Sequence, residues 1–264
     1  MKSFGLARWR LLVDEPLTGP VNMARDHALL SSLGKDEASL RIYRWKNPTI
    51  SFGRNEQVRG HYDRKLASKE GVDFVRRPTG GKAVYHDREL TYSVALPLAR
   101  RWGIRSIYKE INCAFLESLV SLGIPAVAAR QGQTATAGTA TAFCFQDYAE
   151  GEVIVDGRKL VGSAQVRERG SILQQGSLLI EQKQSSLERL CFEGERRQDQ
   201  GAATSLIEVM NAPPTWDDLV IAVLGGFQSV FGGDWYEAGL RENEQEAEID
   251  FLECYSSEEW TWRK

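Results

Sequence analysis

The chain is poor in most features that would mark its function directly. It has no apolar run approaching the roughly 20 residues that cross a bilayer, so no membrane role is expected. Its charge is close to balance, 33 basic against 36 acidic residues for a net −3, and no basic field marks a nucleic-acid partner. Cysteine is scarce. Cys113, Cys144, Cys191 and Cys254 are scattered and form no C-x-x-C pair, which argues against a disulfide framework. His27, His61 and His86 make no H-x-x-x-H or His/Cys cluster, so no metal is expected. There is no G-x-G-x-x-G and no G-x-x-x-x-G-K-[ST], and Thr79-Gly80-Gly81-Lys82 lacks the first glycine of the second pattern. The N-terminus carries Arg8, Arg10, Asp14 and Glu15, with no apolar core before a small-residue cleavage site. A secretory signal is therefore not expected, and the cytoplasm is the expected compartment.

What is present is 264 residues of globular composition, 42% hydrophobic and 26% charged, enough for one large domain. Extended segments are expected at residues 9–13, 40–45, 49–53, 72–75 and 171–180. Helices are expected at 23–33 with Asn22 as N-cap and Gly34 as stop, and at 65–70. Ser106 is expected to cap a longer helix with Ile107, Ile111, Ala114, Phe115 and Leu122 on one face, with Cys113 as a packing residue. Thr215 is expected to cap a last helix, Asp217 and Asp218 favouring its dipole. The acidic residues 242–250 read as a solvated helix face. Asp156-Gly157 between hydrophobic runs is a two-residue type I′ hairpin, pairing Val155 with Arg158 and Ile154 with Lys159. Lys159, Val161 and Ser163 then share one face, and Arg158, Leu160 and Gly162 the other. The fold class is α+β, a largely antiparallel mixed sheet flanked by helices.

Residues 76–93, RRPTGGKAVYHDRELTYS, form the feature around which the chain is organised. Leu90, Tyr92, Val94 and Leu96 alternate with Thr91, Ser93 and Ala95, the pattern of a half-buried strand. The turn ahead of it lacks a Cβ at Gly80 and Gly81, so a ligand could approach the backbone N–H groups. Arg76 and Arg77 add fork-shaped donors suited to phosphate or carboxylate. Spacing alone leaves an ordinary turn with arginines in solvent equally open.

Two residues stand out for chemistry. Cys144, between Phe143 and Phe145, is by itself most simply buried filler. Lys159, beside the hairpin turn, is by itself most simply a solvated edge residue. Together they allow a thiolate nucleophile stabilised by an ammonium that also moves protons. Spacing does not establish that they meet, and no Cys-His-Asn triad is visible.

A family resemblance adds to this reading. The carrying segments are Asn22-Met23-Ala24, residues 41–45 with Ile50-Ser51-Phe52-Gly53, the RRPTGGKAVYHDRELTYSV block, Cys144-Phe145, GRKLVGSAQ at 157–165, and Ile172-Leu173-Gln174-Gln175-Gly176-Ser177. In this order the chain resembles the biotin/lipoate protein ligase superfamily, and within it octanoyltransferases of the LipM type. The resemblance covers roughly residues 8–180. It departs at Lys82, where relatives often carry arginine or glycine, at Gln175, where histidine is frequent, and in the Thr/Ala-rich residues 132–142.

The resemblance implies an enzyme that takes octanoyl from acyl carrier protein and places it on a lysine of a lipoyl domain, such as that of the glycine-cleavage H protein. Cys144 would form the acyl thioester, and Lys159 would lower the thiol pKa and assist proton transfer. Arg76, Arg77, Thr79, Gly80, Gly81, Lys82, His86, Gly162, Ser163 and Ala164 would bind substrate, with no cofactor and no ATP. A catalytic domain is expected over 1–210, its core about 34–210, with 211–264 a helical segment packed on it. Competing readings on the same fold are an ATP-dependent lipoate–protein ligase and an octanoyl amidotransferase. A degenerate member that only binds acyl groups would lack an intact nucleophile.

Overall fold

The computed structural model describes residues 8–98, 103–130, 150–192 and 202–264. Cys144 and residues 132–142 lie outside the described residues. In chain order the elements are β1 (Arg8–Val13), α1 (Gly19–Ser31), β2 (Glu37–Tyr43), β3 (Thr49–Phe52), α2 (Arg64–Lys69), β4 (Asp73–Arg76), β5 (Val84–His86) and β6 (Glu89–Pro97). Then come α3 (Ile104–Ser121), β7 (Val127–Ala128), β8 (Val153–Val155), β9 (Arg158–Glu168), β10 (Ser171–Leu179), α4 (Ser185–Arg189) and α5 (Leu206–Val209). The last are α6 (Trp216–Phe231), β11 (Asp234–Glu237), α7 (Glu242–Ser256) and α8 (Glu258–Thr261).

Among the described residues the strands form a large sheet in the order β11-β1-β2-β6-β10-β9-β8-β7 and a small one in the order β4-β3-β5. In the large sheet only β1 pairs in parallel, with β2 and β11, and every other pairing is antiparallel. This is the α+β architecture expected from the sequence. No described helix is long and apolar enough to cross a membrane.

Period-two alternation in β2 and β6 builds two interiors. Leu40, Ile42, Leu90, Tyr92, Val94 and Leu96 join Ile107, Ile111 and Phe115 of α3 and Phe227 of α6 in the main core. The opposite side, with Arg41, Tyr43, Thr91 and Ser93, is buried as well, and faces α1 through the side chain of Asp26. The half-buried strand expected at residues 90–96 is thus covered on both faces. Its polar face enters a hydrogen-bonded interior rather than solvent.

Several element ends differ from expectation for local reasons. The first helix begins at Gly19 with Thr18 at its N-cap position and a proline in its first turn, where a missing N–H costs nothing. Asn22 is therefore inside the helix, and its side chain donates to the carbonyls of Leu17 and Arg44. Asp63 caps α2 by accepting from the N–H groups of Lys65 and Leu66. The long helix starts ahead of Ser106, from Gly103, and Cys113 is exposed rather than packed. Thr215 caps α6 as expected and closes a capping box with Asp218, but α6 is not the last helix, since α7 and α8 follow it. The acidic helix α7 is not wholly solvated. Glu244 is buried and pairs with Arg10 of β1, itself buried, while Glu248 pairs with Arg25 of α1.

The ion pairs of α1, β1 and α7 give two predictions. Glu244→Ala leaves Arg10 buried without its carboxylate, and a loss of about 3–5 kcal/mol is expected in denaturant unfolding. Burial raises the Asp14 carboxyl, but the charges of Arg41 and Arg25 outweigh this and hold it below its ordinary 3.8. A depressed folded-state value contributes stability that is present above the ordinary value and lost as pH falls through the folded one. Asp14→Asn should therefore be less stable than the parent at neutral pH. The gap should close below about pH 4 in unfolding curves recorded across pH.

Candidate active site

The large and small sheets flank a partly open cavity. One wall is Gly162, Ser163 and Ala164 of β9 with Gln175, Gly176 and Ser177 of β10. The facing wall is Ser51 of β3 with Arg77, Val84 and His86, and Met23, Tyr43, Trp45 and Thr91 complete the lining. The β9–β10 wall needs glycine. A Cβ on Gly176 would lie 2.4 Å from Tyr92 Cε1 and 2.5 Å from the Gly162 carbonyl oxygen.

The arginine–glycine turn supports this cavity from behind. Arg77 donates through Nη1 to the Ser51 carbonyl at 2.8 Å and to Ser51 Oγ at 3.0 Å, and through Nη2 to the carbonyls of Gly80 at 2.8 Å and Lys82 at 2.7 Å. Its fork holds the turn closed. Arg76 leads away from the cavity and donates to the carbonyls of Gly53, Glu56 and Thr261. Thr79 is buried and donates to Gln175 Oε1 at 2.9 Å. Gly81 has a φ of 91°, and its carbonyl lies so close to Gly53 that a Cβ there would sit 1.8 Å from the oxygen. The two glycine segments therefore require one another. Thr79, Gly80, Gly81 and Lys82 are not among the lining residues, whereas Arg77, His86, Gly162, Ser163 and Ala164 are.

His86 is held on three sides. Its Nε2 is 2.6 Å from Ser51 Oγ, its Nδ1 is 2.7 Å from Glu89 Oε1, and its ring stacks on Trp45 at 4.1 Å. Glu89 as a carboxylate accepts, so Nδ1 carries the proton and Nε2 receives the Ser51 hydroxyl. Ser177 and Thr91 donate to the same Glu89 oxygen, and Trp45 Nε1 donates to Thr91. A single carboxylate oxygen thus orients both stacked rings.

Lys159 lies at the start of the strand that later supplies the cavity wall. It is buried, with Nζ donating to Glu152 Oε1 at 2.8 Å, and the Tyr108 hydroxyl of α3 donates to the same oxygen at 2.9 Å. The solvated edge lysine expected of an isolated hairpin is therefore absent. Asp156 and Gly157 have φ of 49° and 73°, as a type I′ turn requires, and the expected pairs Val155–Arg158 and Ile154–Lys159 are present. The register then shifts, so that Val153 faces Val161. Leu160 and Val161 both enter the main core, and the simple face assignment expected for residues 158–163 is interrupted beside Lys159. Such irregularities re-aim side chains.

Sequence reasoning did not single out Ser51, Trp45, Glu89, Thr91, Ser177, Tyr108 or Glu152 as site residues. A usable signal existed for Thr91, on the polar side of a strand whose other side is core. Glu152 and Tyr108 become neighbours only through packing of α3 on the hairpin.

The model of the lipoyl protein ligase A/B catalytic domain matches residues 18–228, and the chain belongs to this family. Octanoyltransferase LipM of Kyrpidia tusciae is 35% identical over 271 residues, covering 97% of this chain and 99% of that protein. The Symbiobacterium thermophilum protein of the same name is 33% identical, covering 97% and 98%. Among solved structures, lipoate-protein ligase A bound with ATP superimposes with a TM-score of 0.80 at 23% identity, covering 97% of this chain and 98% of the other. A bipartite lipoate protein ligase from Thermoplasma acidophilum gives 0.79 at 24%, covering 97% and 96%. These two likenesses establish the fold.

The packing of the wall gives a direct test. Gly176→Ala should destabilise by about 1–3 kcal/mol in chemical denaturation, because backbone and a buried ring must give way. Gly80→Ala meets nothing within 4 Å and should be close to neutral.

Proposed function

We propose that this protein is an octanoyltransferase of protein lipoylation. It moves an octanoyl group from octanoyl-acyl carrier protein, in the cytoplasm, to a lysine of a lipoyl domain such as that of the glycine-cleavage H protein. The observation that carries the reading is near-full-length similarity to octanoyltransferases LipM. A buried lysine on the strand that lines the cavity supports it.

In this reading Cys144 is the nucleophile. Its thiolate attacks the carrier thioester, a new C–S bond forms, and the carrier thiolate leaves and takes a proton. The acceptor amine then attacks the acyl-enzyme carbonyl, a C–N bond forms, the bond to Cys144 breaks, and the amine proton passes to the released thiolate. The positive charge of Lys159 favours the thiolate in the first step and its departure in the second. Thioester exchange followed by amide formation proceeds without ATP. The acyl chain occupies the cavity between Gly162–Ala164 and His86, while Arg77 shapes the facing wall. Thr79, Gly80, Gly81 and Lys82 act on the substrate only through that wall, while Arg76 leads away from the cavity and braces the loop behind it. Backbone N–H groups near Gly162 are candidates to meet the tetrahedral oxyanion.

The test is mass spectrometry of the protein incubated with octanoyl carrier protein. One octanoyl adduct is expected without ATP, absent in Cys144→Ala. Lys159→Ala should acylate at least about 100-fold more slowly at neutral pH, as loss of a group that assists proton transfer implies. An adduct that persists in Cys144→Ala would overturn the cysteine assignment, and acylation that requires lipoate and ATP would move the reading to a ligase.

A further inference from the structure

We infer that the cavity selects acyl chains with no hydrogen-bond acceptor along their length, and that it rejects oxo-substituted chains presented on the same carrier. Ser51, His86 and Arg77 set this selectivity by using their polar hydrogens on one another and on the backbone. The inference rests on the octanoyltransferase reading and deepens it by naming the class of acyl group that the site refuses.

Among the described residues that line the cavity, the side-chain donors are committed within the protein. His86 Nδ1, Thr91 and Ser177 all donate to Glu89 Oε1. Ser51 donates to His86 Nε2, Trp45 to Thr91, and Tyr43 to Asp26. A guanidinium has five N–H donors, and Arg77 makes a bond with each of its three nitrogens. Nε and Nη2 reach the Gly80 carbonyl, Nη2 also that of Lys82, and Nη1 both the carbonyl and the Oγ of Ser51. The Gln175 amide nitrogen points to Asp26 Oδ2 at 2.6 Å and to Met23 Sδ at 3.6 Å. Ser163, on the β9 wall, is the exception. Gln174 Nε2 donates to the Tyr92 hydroxyl at 2.8 Å, and burial pushes Tyr92 up, so it stays protonated. Tyr92 then donates to Ser163 Oγ at 2.7 Å, and the Ser163 proton is left for the cavity.

This wiring makes a wall of polar residues behave as an apolar surface. A methylene against the His86 wall loses nothing by leaving water. A chain carbonyl there gives up its bonds to water and meets no free N–H or O–H in exchange, which is costly. Only a carbonyl that falls beside Ser163 escapes this cost. The selectivity therefore depends on position along the chain, and it rests on the acceptors that hold the wall's donors. Ser51 Oγ is the acceptor nearest to a reversible choice. Without it one Arg77 Nη1 hydrogen is released at the cavity wall, while the bond to the backbone carbonyl at 2.8 Å keeps the guanidinium in place.

The experiment compares kcat/KM for transfer to a lipoyl domain from carrier protein charged with octanoyl, or with octanoyl bearing one oxo group at each carbon from the fourth to the seventh. In the parent, at one or more of these positions the value should fall about 10- to 100-fold below that of octanoyl. In Ser51→Ala the ratio of oxo-octanoyl to octanoyl at that position should rise about five-fold or more, as a hydrogen bond to a charged donor implies. A methyl branch at the same carbon serves as the control for added room, and its ratio should stay level. Oxo chains that all stay within about three-fold of octanoyl in the parent overturn the inference and leave the octanoyltransferase reading standing, so the parent scan alone is decisive. An unchanged oxo ratio in Ser51→Ala, or an equal rise for the methyl branch, also overturns the role of the Ser51–Arg77 pairing. If the parent transfers no octanoyl from the carrier without ATP, the octanoyltransferase reading fails and the inference fails with it.

Discussion

One buried carboxylate ties the molecule together. Asp26, on α1, accepts from Arg41 Nη1 of β2 at 2.7 Å, from Ser93 of β6 at 2.6 Å, from Tyr43 at 2.9 Å and from Gln175 of β10 at 2.6 Å. Gln175 in turn receives Thr79 of the arginine–glycine turn. Arg41 completes the cluster with Asp14 and Asn22. A buried ion pair is tolerable only when its remaining donors and acceptors are also satisfied. Here the satisfying partners come from three neighbouring strands, a helix and the site-forming turn. Those elements can close only in one relative arrangement, which places the two walls of the cavity opposite one another.

The same economy governs the arginines that look like anion binders. Guanidinium forks match carbonyl groups as well as phosphates when the backbone offers several in one place. Arg77 directs its donors to carbonyls on both sides of the glycine turn and to Ser51. Arg76 joins the loop after β3 to the C-terminal residues, and Trp260 Nε1 returns a bond to the Arg76 carbonyl. Trp262 packs with Phe52 and Phe74 in the interior of the small sheet. The last residues of the chain thus brace the loop that faces Gly81. A motif that suggests ligand chemistry by composition acts in this protein mainly on its own backbone, and it shapes the cavity by holding Ser51 and the turn.

Much of the fold was legible because its signals are local. The Asp156-Gly157 hairpin follows from two positive φ angles that these residues tolerate. The capping box at Thr215 follows from a side chain reaching three residues along the helix. Where local signals competed, the sequence reading missed. Asn22 has the chemistry of a cap, but Pro20 lets the helix start earlier, and the asparagine is used inside. The polar side of residues 90–96 looked like a solvent face because alternation records polarity, and polarity is compatible with burial wherever partners such as Asp26 and Glu89 are provided.

By itself the sequence determined the fold class, the hairpin, the glycine positions of the turn and the order of family motifs, all properties of residues near one another in the chain. Tertiary structure alone decided how Lys159 is used. On the sequence it is a lysine next to a tight turn, and only the packing of α3 brings Tyr108 to Glu152 and makes the lysine one partner of a buried pair. It also decided that Arg77 lines the cavity while Arg76, its neighbour, does not. Adjacent residues at the end of a strand point to opposite sides, and which side holds the cavity depends on the sheet that packs across from it.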